Sequence, residues 1–117
     1  MSRNAPDSGV AKLVKKYKCL IASIANKVIE NITGNITATP EDSGESALGD
    51  LIADAQLYAT SNPNCYGGAV VAFTNPGGIR SNLILSGSKL PANITYVEAF
   101  SVQPFGDNLV TMTLNGT

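Results

Sequence analysis

Val10, Leu13, Val14, Tyr17, Leu20, Ile21 and Ile24 recur at the spacing of one helical face, while Lys12, Lys15, Lys16 and Lys18 fall on the others. The pattern predicts an amphipathic helix of about four turns, packed on one side in preference to lying on a membrane surface. The polar residues before it end in Pro6-Asp7-Ser8-Gly9, which reads as a linker running into a helix start. Residues 1–27 are thus expected to be a linker and connector helix, and residues 28–117 a domain.

Beyond the helix the period changes. Val28, Ile29, Ile32, Thr33, Ile36 and Thr37 form a β-branched run interrupted by Gly34-Asn35, which predicts strand, kink or bulge, strand. A loop over 39–44 offers Asp42 and Ser43 as caps, with Glu45 three residues after Asp42 as a capping-box partner. Leu48, Leu51, Ile52, Ala55 and Ala59 then make one apolar stripe, and this helix should stop before Ser61-Asn62-Pro63. The continuous apolar run 69–73 reads as a strand buried on both faces. Residues 94–96 read as a short strand, 97–102 as one or two helical turns, and 109–114 as a final alternating strand. This order predicts an α/β (α+β) sandwich, with a mixed sheet packed against helices. A chain stopping on a strand with nothing to cover it suggests truncation or a partner chain.

The composition excludes more than it identifies. The chain has 117 residues, a net charge of −1 and no histidine, so it lacks the commonest general base and the commonest zinc ligand. The low net charge provides no field for nucleic acid, and an anionic ligand would have to be gripped by a few placed donors. No apolar run approaches a membrane span, and residues 1–6 lack the apolar stretch of a signal peptide. Cys19 and Cys65 are too few for a disulfide scaffold or zinc site. Cys19 reads as core, and a Cys19–Cys65 bridge would require an oxidising compartment. A stand-alone enzyme with carboxylate chemistry would use Asp42, Glu45, Asp50 or Asp54, but Asp50 and Asp54, an i, i+4 pair, read as a solvated helix face. No catalytic or metal-binding set emerges from these residues.

Two segments carry candidate chemistry. In Asn75-Pro76-Gly77-Gly78-Ile79-Arg80, Pro76 fixes the entry geometry, and Gly77 and Gly78 permit a sharp turn and close ligand approach. Asn75 can donate and accept, and Arg80 offers a planar fork for carboxylate or phosphate. By its own chemistry the segment reads equally as a tight turn followed by a solvated arginine. In Gln103-Pro104-Phe105-Gly106-Asp107, Phe105 reads either as a lid on the sheet edge or as a stacking platform for a base.

Three segments in one order carry a resemblance: 44–56 (Gly-Glu-Ser-Ala-Leu-Gly-Asp-Leu-Ile-Ala-Asp-Ala-Gln), 75–80, and 94–96 followed by 102–110. Over about residues 10–117 the chain resembles the C-terminal, substrate-binding domain of the 5′-nucleotidase / UDP-sugar hydrolase / 2′,3′-cyclic phosphodiesterase family. The resemblance implies a nucleoside or nucleotide ligand, with Asn75, Gly77, Gly78 and Arg80 as the loop contacts. It makes Phe105 the first of two stacking aromatics, the second lying beyond Thr117, and Asp107 a further contact. It also implies an N-terminal metallophosphoesterase domain holding two divalent metals, so this chain is expected to contain no cofactor and to be inactive alone. Two departures stand out: residues 38–42 contain no arginine, and Asp107 replaces an asparagine found in some members. The parent would be secreted, periplasmic or on the cell surface. Sequons at Asn31, Asn35, Asn93 and Asn115 are compatible with a secreted eukaryotic parent. The competing expectation is a structural module without a ligand site, forming a homodimer through exposed strand edges.

Overall fold

The structure, a computed structural model, describes residues 7–64 and 67–116. The Cys19–Cys65 bridge therefore lies outside the described residues, while Cys19 itself is exposed instead of buried. The elements run α1 (Ser8–Ala25), β1 (Val28–Ile32), α2 (Ala47–Thr60), β2 (Ala92–Thr95) and α3 (Tyr96–Val102), with a 3-10 turn at Pro76–Gly78. The fold is of the α/β class.

β1 and β2 pair antiparallel, with Ile32 opposite Ala92, Asn31 opposite Asn93 and Glu30 opposite Ile94. A bulge at Ile29 absorbs the extra residue before Val28 meets Thr95. Alternation does the rest: Ile32, Ala92 and Ile94 point into the core, and Asn31 and Asn93 point out. After the bend at 33–34, Ile36 and Leu83 exchange both backbone hydrogen bonds, at 2.9 and 3.0 Å. Of the strand–kink–strand expectation for 28–37, the first strand and the bend are met, while the second strand is a single bridge at Ile36. Two side-chain amides clamp this pairing: Asn82 Oδ1 accepts from the Ala38 amide (2.9 Å), and Asn35 Oδ1 accepts from the Leu85 amide (2.8 Å).

α2 forms where its stripe predicts, but its cap lies elsewhere. Ser46, extended at φ −136°, caps it by accepting from the Gly49 amide at 3.1 Å. A Cβ at Gly49 would sit 2.9 Å from Ser46 Oγ, so glycine there preserves the cap. Asp42 and Ser43 belong to a separate turn, closed by Gly44 N–H donating to Glu41 O (2.9 Å) with Gly44 at φ 87°. Glu45 is therefore not a capping-box partner. That device appears on α3, where Glu98 Oε2 accepts from the Thr95 amide (2.8 Å) and hydroxyl (2.6 Å).

The core is small. Leu48, the one large side chain removed from solvent, packs with Ile52, Ile32, Leu83, Ile94 and Val102. Ile36, Ala38, Ile79, Leu85 and Ala99 close its edges. Leu51, Ala55 and Ala59, expected in the same stripe, stay exposed because only the Leu48–Ile52 edge of α2 meets the sheet.

Two expected strands are absent from the described residues. Segments 69–73 and 109–114 flank an open slot and approach at Gly67 and Thr111, but no backbone hydrogen bond joins them. Val70 and Phe73 are 90% and 82% exposed, not buried on both faces. An apolar run becomes a strand only where a neighbouring strand takes up its N–H and C=O groups; the run 69–73 makes one backbone bond among the described residues, from the Ala69 amide to Thr60 O at 3.0 Å, and that is not a strand pairing. The sheet of the described residues is accordingly two antiparallel strands, where the sequence predicts a mixed one. α1 also departs from expectation: it forms, yet none of its residues is buried. Its only half-buried positions, Ala22 and Ala25, lie off the large apolar stripe. The radius of gyration, 18.4 Å, exceeds the roughly 13 Å of a compact chain this long.

Leu48→Ala is expected to cost about 2–5 kcal/mol by cavity formation, whereas Leu51→Ala should cost about 1 kcal/mol or less. Urea denaturation would distinguish them, and equal losses would contradict the placement of the core. Thr95 holds the Glu98 carboxyl below the ordinary glutamate value, chiefly through its hydroxyl and then its amide, against a small opposing effect of burial. The depressed folded value means this contribution is present above the unfolded value, about 4.3, and is lost as pH falls through the folded one. The stability gap between wild type and Glu98→Gln should therefore change between about pH 6 and about pH 3 by at most about 1 kcal/mol, the scale of an exposed cap. A gap independent of pH would contradict the assignment.

Candidate functional site

The Asn75–Arg80 loop is placed at both ends by the core. At its entry, Thr74 lies beside the start of α2, its Cγ2 4.0 Å from where a Cβ on Gly49 would stand. At its exit, Ile79 packs against the core and the Arg80 amide donates to Val102 O at 2.8 Å. The loop is thereby fastened to the C-terminal end of α3. From there the chain passes directly into Gln103, Phe105 and Asp107.

Between these anchors the loop makes its own turn. Asn75 Oδ1 accepts from the Gly77 amide (3.0 Å), and the Gly78 amide donates to Asn75 O (2.9 Å). Pro76 opens the 3-10 turn, where its missing N–H costs nothing. The tight-turn reading of these residues thus describes the backbone correctly. Neither Gly77 nor Gly78 has positive φ, so the turn does not demand glycine for its handedness. A Cβ at Gly77 would meet Asn75 Oδ1 at 3.3 Å, crowding the cap, whereas one at Gly78 would make ordinary contact with Gln103 Nε2 at 3.6 Å. Glycine at 78 is therefore not required by the protein's own packing.

The capping bond decides what Asn75 can offer. Its oxygen accepts one bond within the loop, and its exposed amide nitrogen has no acceptor among the described residues, so its donor is free. Arg80 is exposed and makes one long contact, Nη1 to Gly77 O at 3.4 Å, leaving most of its fork free. Beyond α3, Phe105 is 48% exposed, too open to be a lid on the sheet edge. Asp107 is exposed and adds acceptor oxygens. The structure thus ties the loop to Val102 and sets it against Gln103, the residues that lead into Phe105 and Asp107. No hydrogen bond joins Phe105 or Asp107 to the loop among the described residues. The sequence alone assigns Gln103 no role. Its half-buried side chain against Gly78 becomes apparent only once Arg80 is tied to Val102.

Among the described residues, no three of histidine, cysteine, aspartate and glutamate lie close enough to hold a metal ion. With no histidine in the chain and its carboxylates dispersed, this donor set does not fit a dimetal centre. No helix among the described residues is long and apolar enough to cross a membrane.

The family model for the 5′-nucleotidase C-terminal domain matches residues 21–117. The cell wall protein Lmo0130 of Listeria monocytogenes is 38% identical, over 95% of this chain and 15% of that protein. The endonuclease YhcR of Bacillus subtilis is 29% identical, over 98% of this chain and 8% of that protein. The NAD 5′-nucleotidase of Haemophilus influenzae is 25% identical, over 95% of this chain and 18% of that protein. The chain thus spans less than a fifth of the length of these curated relatives. No solved structure matches it. The matched span takes in the sheet, α2, the Asn75–Arg80 loop and α3, and the chain belongs to the 5′-nucleotidase C-terminal domain family.

Proposed function

We propose that this chain is the substrate-recognition part of a metal-dependent 5′-nucleotidase-type phosphoester hydrolase. Asn75, Gly77, Gly78 and Arg80 hold a nucleoside or nucleotide from one side, and Phe105 and Asp107 hold it from the other. The observation that carries this reading is the 2.8 Å bond from the Arg80 amide to Val102 O, which fixes the donor loop beside the start of the Phe105 segment. Asn75 Nδ2 and the Arg80 fork supply donors for ring nitrogens, ribose oxygens or phosphate. Phe105 stacks the base, and Asp107 accepts from hydroxyls. The carboxylate of Asp107 opposes a nearby phosphate, which favours the nucleoside moiety as the part gripped here.

Catalysis and its two divalent metals belong to an N-terminal metallophosphoesterase domain of the parent, joined through α1 as connector. The parent works in nucleotide breakdown outside the cytoplasm, secreted, periplasmic or on the cell surface. A second reading, a self-associating module, draws on one observation. Among the described residues, segments 70–73 and 109–114 make no backbone hydrogen bonds, which leaves two exposed edges.

Adenosine titrated into the chain should shift the NMR signals of Asn75, Arg80 and Phe105, with a Kd near millimolar, about −4 kcal/mol. Phe105→Ala should remove about 1–3 kcal/mol of stacking and abolish the shifts. A size-exclusion dimer showing no shifts would favour self-association instead. AMP with manganese or zinc added should not be hydrolysed by the chain. Turnover abolished by a chelator would sink the assignment of catalysis to another domain.

A further inference from the structure

Gly78 leaves a space that the fold itself does not need. Its φ is not positive, and a Cβ there would make only ordinary contact with Gln103 Nε2, at 3.6 Å. Neither handedness nor packing asks for glycine at this position, whereas a ligand passing close over the backbone would. Among the described residues, Gln103 Nε2 is the one heavy atom within 4 Å of that space, the chain neighbours of Gly78 aside.

Gln103 is placed by the same anchor as the loop. It is the C-cap of α3 and follows Val102, whose carbonyl holds the Arg80 amide at 2.8 Å. Its side chain is half-buried, yet its carboxamide makes no hydrogen bond among the described residues and is not sealed from solvent. The neighbouring groups differ from it in kind. Asn75 Nδ2 and the Arg80 fork donate, and the Asp107 carboxylate only accepts. A carboxamide presents one donor and one acceptor side by side in a plane. That pair is the complement of a base edge on which an exocyclic amine stands next to a ring nitrogen. Adenine and cytosine have such an edge, whereas hypoxanthine and uracil carry an oxygen where that amine stands.

We propose that Gln103 is a substrate contact that sets the base preference of the site. The ligand passes over Gly78 and pairs its amine-bearing edge with the Gln103 carboxamide, Oε1 accepting from the amine and Nε2 donating to the ring nitrogen. The inference rests on the reading of the Asn75–Arg80 loop as a nucleoside site, and it adds the residue that chooses the base.

Titrating the full chain by NMR with adenosine and with purine riboside, the same nucleoside without its amine, tests it. Wild type should bind adenosine about three- to tenfold more tightly, the range of one or two neutral hydrogen bonds. Gln103→Leu, similar in size, should bind the two ligands equally to within about twofold, with the Leu48 amide signal unmoved. A merely structural role for Gln103 would weaken both ligands and leave their ratio as it was. Gly78→Ala should keep the wild-type Tm and weaken adenosine binding by about tenfold or more. Three results would overturn the inference while leaving the nucleoside site standing: equal affinities in wild type, a preference that survives Gln103→Leu, or a Gly78→Ala chain that binds adenosine as wild type does. No shift at Asn75, Arg80 or Phe105 with either ligand would overturn the site itself, and the role of Gln103 with it.

Discussion

Leu48 can leave water only if three separate stretches of chain close over it. Ile32 and Ile94 approach from the two-stranded sheet, Leu83 from the bridge to Ile36, and Val102 from the end of α3. The backbone joins where the side chains meet: the Leu48 amide donates to Thr37 O at 3.1 Å, and the Arg80 amide to Val102 O at 2.8 Å. The geometry of the candidate site follows from this one burial. Asn75 has its place because Thr74 lies against the start of α2, and Arg80 has its place because Val102 is inside. A core of so few buried side chains has little redundancy, so the loop is only as well positioned as Leu48 is covered.

The parts of the fold that could be read from the sequence are those set by local chemistry. α2 follows from its stripe, its end follows from Ser61-Asn62-Pro63, and the β1 kink follows from Gly34-Asn35. Asn75 likewise caps a turn that Pro76 and the glycines announce. The misplaced features depend on distant partners. Asp42 has the right chemistry for a cap, but Ser46 is the residue in extended conformation where α2 begins. Val70 and Phe73 have the composition of a central strand, yet composition does not supply the neighbour whose backbone would pair with theirs. The periodicity of α1 gives the helix and its face, but the choice of what covers that face is not local.

The candidate site shows the same division. Donor and acceptor types at Asn75, Arg80 and Asp107 are legible residue by residue. The sequence does not reveal that the Asn75 oxygen accepts from the Gly77 amide, which fixes the side chain's orientation and occupies part of its acceptor capacity. Nor does it reveal that Gly78 faces Gln103 with room for a Cβ. These details narrow what the loop can do: its turn is self-supporting, the Asn75 amide nitrogen and most of the Arg80 fork are free, and its attachment to Val102 is imposed by the core.

Hydrogen–deuterium exchange at the Arg80 amide tests that dependence most directly. If the core fixes the loop through Val102, this amide should be protected to the same degree as the Leu48 amide, although Arg80 itself is exposed. Exchange at the rate of an unstructured loop, with Leu48 still protected, would contradict the account.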